Sequence, residues 1–497
     1  MLRASSYTIY VDLPETTEEM LLVHGYTGAY DRVSRRVATY IRSLEATKPP
    51  KPLYGDWTPA PPVDGQVQPP SEQTVATLKQ RGYLTELSVE EERQFFNKFA
   101  TMRHTIASRS VGYIFMPTYD CNLRCSYCFQ DHMRTDQSFQ HLLRGMKRSL
   151  VDRIFAAMPK IEAYHGIPPA ERPKRNLGFF GGEPLLERSR PVVEYIIKKA
   201  RETSEVSFWA VTNATELHAY RDLLGPDGIS FLQITLDGPS HEHNKRRIYA
   251  DGSGSFDRIA QNITLALEVG ARVSVRLNID RNNIQKLPAL AREMIGRGWN
   301  EHRNFNAYTA PIHASNHHTD IKTTFSSWEL DQELTRLREQ DPDMQIIARP
   351  DDRLMHQARQ LFTTEAEPYL HSSFCSAHNG MYIFDAFGDI YACWERTGDP
   401  NIRIGSISQE GDFVLEERMT KLWRSRNVTT NGVCQQCRYA LYCGGGCAVL
   451  AEAHRGEFFT NYCDGYAARF RASVAEAYQQ HIIGLEPLVK ADRPCDL

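Results

Sequence analysis

Cysteine placement constrains this chain more than any other feature. Of its eleven cysteines, three sit at Cys121, Cys125 and Cys128, none follows until Cys375, and the remaining eight end at Cys495. An odd number argues against a disulfide framework and for metal or cluster ligation in a reducing compartment. The tail from about residue 366 has few long apolar runs and one clear hairpin, residues 381–393, turning through Ala386 to Asp389. A segment with so little core and so many thiols takes its fold from inorganic staples. The 497 residues suffice for about three domains. With 41% hydrophobic and 24% charged residues the chain is globular rather than disordered. A formal charge of -3 argues against a nucleic-acid partner. There is no run of eighteen apolar residues, and the start, MLRASSYTIYVDLPETTEEM, lacks a signal-peptide core. The expectation is a cytoplasmic protein with no membrane partner.

Residues 1–47 read as two strands, SYTIYV and MLLVHG, and a helix on which Val33, Val37, Ile41 and Leu44 recur. Eight prolines between 49 and 70 make 48–71 a stiff linker or an arm lying on the surface. Helices follow, one opened by a Ser88/Glu91 capping box, completing a small α+β module over 1–104. From Val111, short apolar strands (VGYIFMPT, LGFFGG, VSFWAVTN, FLQITLDG, VSVRLNID, NFNAYT) alternate with amphipathic helices. That alternation implies parallel strands joined by crossover helices, an α/β sheet or barrel over 105–325. His313, His317 and His318 have no acidic or cysteine neighbours and read as a solvated loop. A polar helical bridge, 326–365, leads into the tail, 366–497. No internal repeat is evident.

Cys121-Asn-Leu-Arg-Cys125-Ser-Tyr-Cys128 follows the first strand of the α/β region, at the end where parallel sheets place their chemistry. Three close thiolates can hold three irons of a 4Fe-4S cube and leave the fourth open to a ligand; a zinc knuckle or buried thiols are the plainer alternatives. CNLRCSYC resembles the cluster motif of the radical S-adenosylmethionine (radical SAM) enzymes, which have a partial (β/α)6 barrel. The resemblance implies that Cys121, Cys125 and Cys128 ligate the cube while the cosubstrate chelates the unique iron, with Phe129 beside the adenine. Gly181-Gly182-Glu183-Pro184 matches the same family's Gly-Gly-Glu-Pro motif, where glycines permit close backbone approach and the carboxylate pairs with an ammonium group. Strand ends at Thr212-Asn213, Thr235 and Asn278 fall where the family contacts ribose and carboxylate, and Arg247 is placed for the carboxylate; a strand cap is the plainer alternative for each.

In the tail, Cys375, Gly388 and Cys393 are followed by Cys434-x2-Cys437-x5-Cys443-x3-Cys447 and then Cys463. This resembles the seven-cysteine SPASM domain, a carboxyl-terminal extension carrying two auxiliary 4Fe-4S clusters. By that resemblance Cys434, Cys437, Cys443 and Cys463 hold the outer cluster, and Cys375, Cys393 and Cys447 the inner one. No cysteine lies shortly before Cys375; Cys495, His371, water or an open position are the alternatives for its fourth site. A pair of zinc sites is the rival reading of the tail.

The resemblance implies three 4Fe-4S clusters, S-adenosylmethionine, an electron donor such as a flavodoxin or ferredoxin, and a radical oxidoreductase. The favoured function is oxidative maturation of a ribosomally made precursor peptide, through a carbon-carbon or thioether crosslink. Alternatives are formylglycine maturation of a sulfatase, modification of a small molecule, and a non-enzymatic zinc or iron-sulfur scaffold. Sulfatase maturases carry an Asp after the second SPASM cysteine, whereas here Trp394 and Glu395 follow Cys393. Glu395 and Asp385 are the candidate bases, read as exposed hairpin carboxylates. The amino-terminal module is expected either to take a leader peptide as an added strand or to brace the barrel.

Overall fold

The computed structural model describes residues 1–46, 67–168, 174–314, 319–349, 352–363 and 369–482. Most of the proline-rich stretch, His317, His318, Glu367, Pro368 and Cys495 lie outside the described residues. The chain forms two compact units: Met1–Ser108 with Asp351–Asn379 and Ser425–Leu497, and Arg109–Pro350 with Gly380–Arg424. They cut across the four consecutive segments read from sequence, because the tail's hairpin is hydrogen-bonded into the barrel sheet and so belongs with it. Among the described residues no helix is long and apolar enough to cross a membrane.

The first unit carries strands β1 (Arg3–Ala4), β2 (Thr8–Asp12), β3 (Glu19–His24), β4 (Tyr30–Ser34) and β5 (Leu84–Thr85). β2, β3 and β4 form an antiparallel sheet with Ile9 opposite Val23 and Tyr10 opposite Leu22. Side chains alternate across a strand, so Ile9, Val11, Leu21 and Val23 enter one core while Tyr10, Met20 and Leu22 enter another. The first core is completed by Phe96 and Ala100 of helix Val89–Ala107, Leu354 and Ala358 of Asp352–Gln360, and Phe470 and Val474 of Tyr466–Ile482. The third strand corrects the sequence reading, which put Val33 on a helix. Val33 pairs with Met20 instead, and the helix begins at Arg35, where the Ser34 hydroxyl accepts from Val37 N. The Ser88/Glu91 capping box is present in both directions.

The second unit is built on strands β6 (Gly112–Phe115), β7 (Leu123–Cys125), β8 (Arg175–Phe179), β9 (Val206–Thr212), β10 (Ile229–Leu236), β11 (Arg247–Tyr249), β12 (Arg272–Ile279), β13 (Phe305–Pro311), β14 (Ile347–Ala348), β15 (Met381–Phe384), β16 (Asp389–Tyr391), β17 (Gly405–Ile407) and β18 (Phe413–Leu415). β6, β8, β9, β10, β12 and β13 lie side by side in chain order, all parallel. This is the expected partial (β/α)6 sheet. Helix Arg190–Thr203 shows how the crossovers pack: Val192, Val193, Ile196, Ile197 and Ala200 recur at helical spacing and are all buried. Between β9 and β10 the crossover contains only a 3-10 helix, Leu217–Leu223. β14 adds parallel to β13 at one edge, and β15 adds parallel to β6 at the other, continuing antiparallel through β16, β17 and β18.

Candidate active site

The thiol loop starts where β6 ends and is held on one side by backbone hydrogen bonds and by the Arg188–Asp120 ion pair. Phe180, Gly182 and Glu183 donate their N–H groups to Phe115 O, Thr118 O and Asp120 O. A Cβ on Gly182 would lie 2.3 Å from the carbonyl oxygens of Tyr119 and Asp120, and one on Gly181 would lie 2.6 Å from Thr118 O. Only glycine admits this approach. On the other side, β7 pairs antiparallel with β11, with Cys125 opposite Arg247. Cys121 Sγ accepts from Leu123 N at 3.4 Å and Asn213 Nδ2 at 3.6 Å, and Cys128 Sγ from Arg134 Nη2 at 3.2 Å. Burial pushes the Cys125 thiol up to about 12.

Two polar hubs flank the loop. Glu183 is buried, and its carboxylate accepts from Leu185 N (2.9 Å), Thr212 Oγ1 (2.6 Å) and Asn213 N (2.5 Å), tying the ends of β8 and β9 together. Burial raises its pKa to about 7 despite those donors. The second hub is Tyr127, which the sequence reading passed over. Its hydroxyl donates to Asp237 Oδ1 at 3.0 Å and accepts from Arg247 Nη1 at 2.9 Å and Asn278 Nδ2 at 3.1 Å. Three strand ends thus converge on one oxygen. Among the described residues Asp237 Oδ2 and Arg247 Nε are buried without a hydrogen-bond partner, an acceptor and a donor that a polar ligand would satisfy. Thr235 is buried at the end of β10, and Phe129 is half-buried in the turn after Cys128.

The hairpin places the two candidate bases differently. Asp385 is fully buried, not exposed as read from sequence. It accepts from Phe387 N and Asp389 N at 2.9 Å each and from Tyr119 OH at 3.1 Å, so it shapes the turn and anchors it near Cys121. Burial raises its pKa to about 7. A raised carboxyl pKa means that the fold prefers the protonated form, so this group's stabilising contribution is lost as pH rises from about 4 to about 7. Asp385→Asn is therefore expected to flatten the fall in Tm of the metal-free protein between pH 5 and 8, as checked by thermal melts across that range. Glu395 is half-buried, with its pKa raised by burial against the nearby Arg276 and Arg396. Its neighbour Trp394 stacks on Phe180, ring centroids 5.3 Å apart, at the end of β8. Residues 394–395 therefore stand at the carboxyl end of the sheet, with the thiol loop.

In the first unit, Cys434, Cys437, Cys443 and Cys463 line one cavity of about 40 Å³. Gly444, Gly445 and Gly446 run consecutively at φ 72°, 87° and 77°, a left-handed path around the cavity open to glycine. A Cβ on Gly446 would fall 1.9 Å from Tyr462 O. Asn461 Nδ2 donates to Cys463 Sγ at 2.7 Å. Among the described residues no three His, Cys, Asp or Glu side chains gather as around a single metal ion; ligands of a cubane are separated by the cube's own width instead. Cys447 opens helix Ala448–Arg455, and Cys375 precedes the turn Ser376–His378. Cys393 belongs to the second unit, just beyond β16. His371 N donates to Leu441 O at 2.8 Å.

Residues 115–294, from the last residue of β6 to the helix before β13, match the radical SAM superfamily. The chain contains a radical SAM domain. Members of this superfamily bind a 4Fe-4S cluster and S-adenosylmethionine, and the three-thiol loop with its unpartnered Asp237 and Arg247 atoms fits both. Over 394 residues the chain is 20% identical to the cysteine-type anaerobic sulfatase-maturating enzyme of Clostridium novyi, covering 73% of this chain and 96% of that one. A shorter match, 25% identical over 175 residues, is to the Fe-coproporphyrin III synthase of Methanosarcina barkeri, spanning 35% of this chain and 38% of that one. The solved structure of anSMEcpe with bound AdoMet superimposes with a TM-score of 0.53 at 14% identity, over 75% of this chain and all of that one.

Proposed function

We propose that this chain is a radical maturase that oxidatively modifies a ribosomally made precursor peptide, closing an intramolecular carbon-carbon or thioether crosslink. In this reading Cys121, Cys125 and Cys128 hold the site-differentiated cluster. Asp237, Arg247 and the Glu183 hub receive the cosubstrate's polar groups. Cys434, Cys437, Cys443 and Cys463 hold an auxiliary cluster, one of three clusters in all. When bound, these groups supply a 5′-deoxyadenosyl radical that takes a hydrogen atom, and an acceptor for the electron that leaves the substrate. The chain's own part is positional. Tyr127 fixes Arg247 and Asn278 beside the thiol loop, the Gly181-Gly182 contact sets the height of that loop, and Trp394 against Phe180 walls the mouth from water. Glu395 takes the proton that accompanies bond formation.

The observation that carries this reading is the pair of buried, unpartnered atoms, Asp237 Oδ2 and Arg247 Nε, beside three thiols at the mouth of a parallel sheet. Support for a peptide substrate comes from the sulfatase-maturating relative and from anSMEcpe, whose structure holds a Cp18Cys peptide with AdoMet. The test is anaerobic reconstitution, reduction with dithionite or a flavodoxin, and incubation with a small peptide encoded beside this gene. Release of 5′-deoxyadenosine together with a peptide lighter by two hydrogens is expected; no 5′-deoxyadenosine overturns the assignment. Glu395→Gln is expected to leave cosubstrate cleavage intact and to lower crosslinked product about 100-fold, measured by mass spectrometry.

The likeness to the Clostridium novyi enzyme favours sulfatase-type formylglycine formation as the second reading. Trp394 stands where those enzymes are expected to carry an Asp. A sulfatase peptide oxidised at Cys or Ser in the same assay would select this alternative.

A further inference from the structure

Arg426 lies just past helix Glu417–Ser425, in the unit that carries the four-thiol cavity, and is 2% exposed. Its Nε donates to Phe458 O at 2.8 Å, Nη1 to Gly446 O at 3.0 Å and Nη2 to Thr460 O at 2.8 Å. Nη1 also meets His378 Nε2 at 3.4 Å. These partners sit on three separate thiol-bearing segments: His378 three residues after Cys375, Gly446 between Cys443 and Cys447, and Thr460 three residues before Cys463. One side chain therefore clamps all three.

None of those partners is a carboxylate. A guanidinium keeps its proton at any physiological pH, and a charge this buried costs several kcal/mol unless an opposite charge compensates it. Neutral carbonyls solvate it without neutralising it. Burial disfavours its charge, and the groups placed to offset that, once deprotonated, are the sulfurs of Cys434, Cys447, Cys375 and Cys443. Thiolates bound to iron would supply the missing charge.

We propose that Arg426 is the fixed counter-charge of the iron-sulfur centres held in the tail, a positioning residue that joins three thiol-bearing segments serving both of them and raises their reduction potentials. The inference rests on the cluster assignment above. A buried cation near a cluster favours the reduced, more negative state, since cluster potentials respond to local charge and hydrogen bonding.

The test uses the full chain with Cys121, Cys125 and Cys128 replaced by alanine, so that only tail iron is observed. Arg426→Gln keeps an amide donor and removes the charge; Arg426→Lys keeps the charge and removes the fork. In EPR-monitored titrations, Arg426→Gln is expected to shift the one-electron equilibrium toward the oxidised state at least tenfold, about 59 mV lower, while Arg426→Lys stays within threefold. If Arg426→Gln loses its iron entirely, retention of iron by Arg426→Lys supports the charge role. Unchanged midpoints in both variants, or equal loss of iron from both, overturn it. Absence of iron from the protein with Arg426 intact would instead overturn the cluster assignment itself, and the inference with it.

Discussion

Gly182→Ala is expected to strip iron from the barrel-mouth loop and to lower 5′-deoxyadenosine release about 100-fold, since a displacement near 1 Å at a reacting centre costs that much. The new methyl would sit 2.3 Å from two carbonyl oxygens, Tyr119 O and Asp120 O. Both are backbone atoms, so no side chain can swing aside. The loop must retreat, breaking the bonds from Gly182 N to Thr118 O and from Glu183 N to Asp120 O, and carrying Cys121 with it. Overpacking of this kind also costs about 1–3 kcal/mol of stability. Gly112→Ala is the control, because a Cβ there meets nothing within 4 Å. Iron content and nucleoside release, measured on both variants, separate displacement of the loop from a general effect of losing glycine; equal behaviour of the two would sink the account.

This contact shows why part of the site is legible in the chain and part is not. Thiol spacing and a glycine pair are local patterns that survive as sequence, and the six parallel strands follow from apolar runs alternating with amphipathic helices. β4 is different: Asp31 and Arg32 interrupt any apolar alternation, and the strand exists because β3 offers it a partner. The addition of β15 to β6 joins residues more than 260 positions apart, a pairing that no local window contains. Asp385 illustrates the same limit. A hairpin carboxylate is ordinarily solvated, and only the packing of Tyr119 over the turn makes it a buried acceptor. Tyr127 sits within the cysteine motif itself, yet its role depends on Asp237, Arg247 and Asn278, each more than 100 residues away.

The Tyr127 hub leads to the other large effect. Arg247→Met should weaken S-adenosylmethionine binding about 100-fold, roughly 3 kcal/mol, as truncating one member of a buried charged pair does. Arg247 is the cation beside Asp237, and its Nη1 fixes the tyrosine hydroxyl that in turn satisfies Asp237 Oδ1. Without the guanidinium, the Asp237 carboxylate keeps its tyrosine bond but loses the cation that most favours its charged form, with its second oxygen unpartnered. Tyr127→Phe leaves both charges in place and removes only the bridge between them, so a loss nearer tenfold is expected, a neutral bond being worth about 1 kcal/mol. Iron in the barrel loop should be retained in both variants, because neither side chain bonds a cysteine sulfur through its polar group. Anaerobic titration of iron-loaded protein with the cosubstrate, alongside iron analysis, reads the two effects separately. Equal affinities for the Arg247→Met and parent proteins would remove Arg247 from the binding site, and loss of iron with affinity would recast it as a support of the thiol loop.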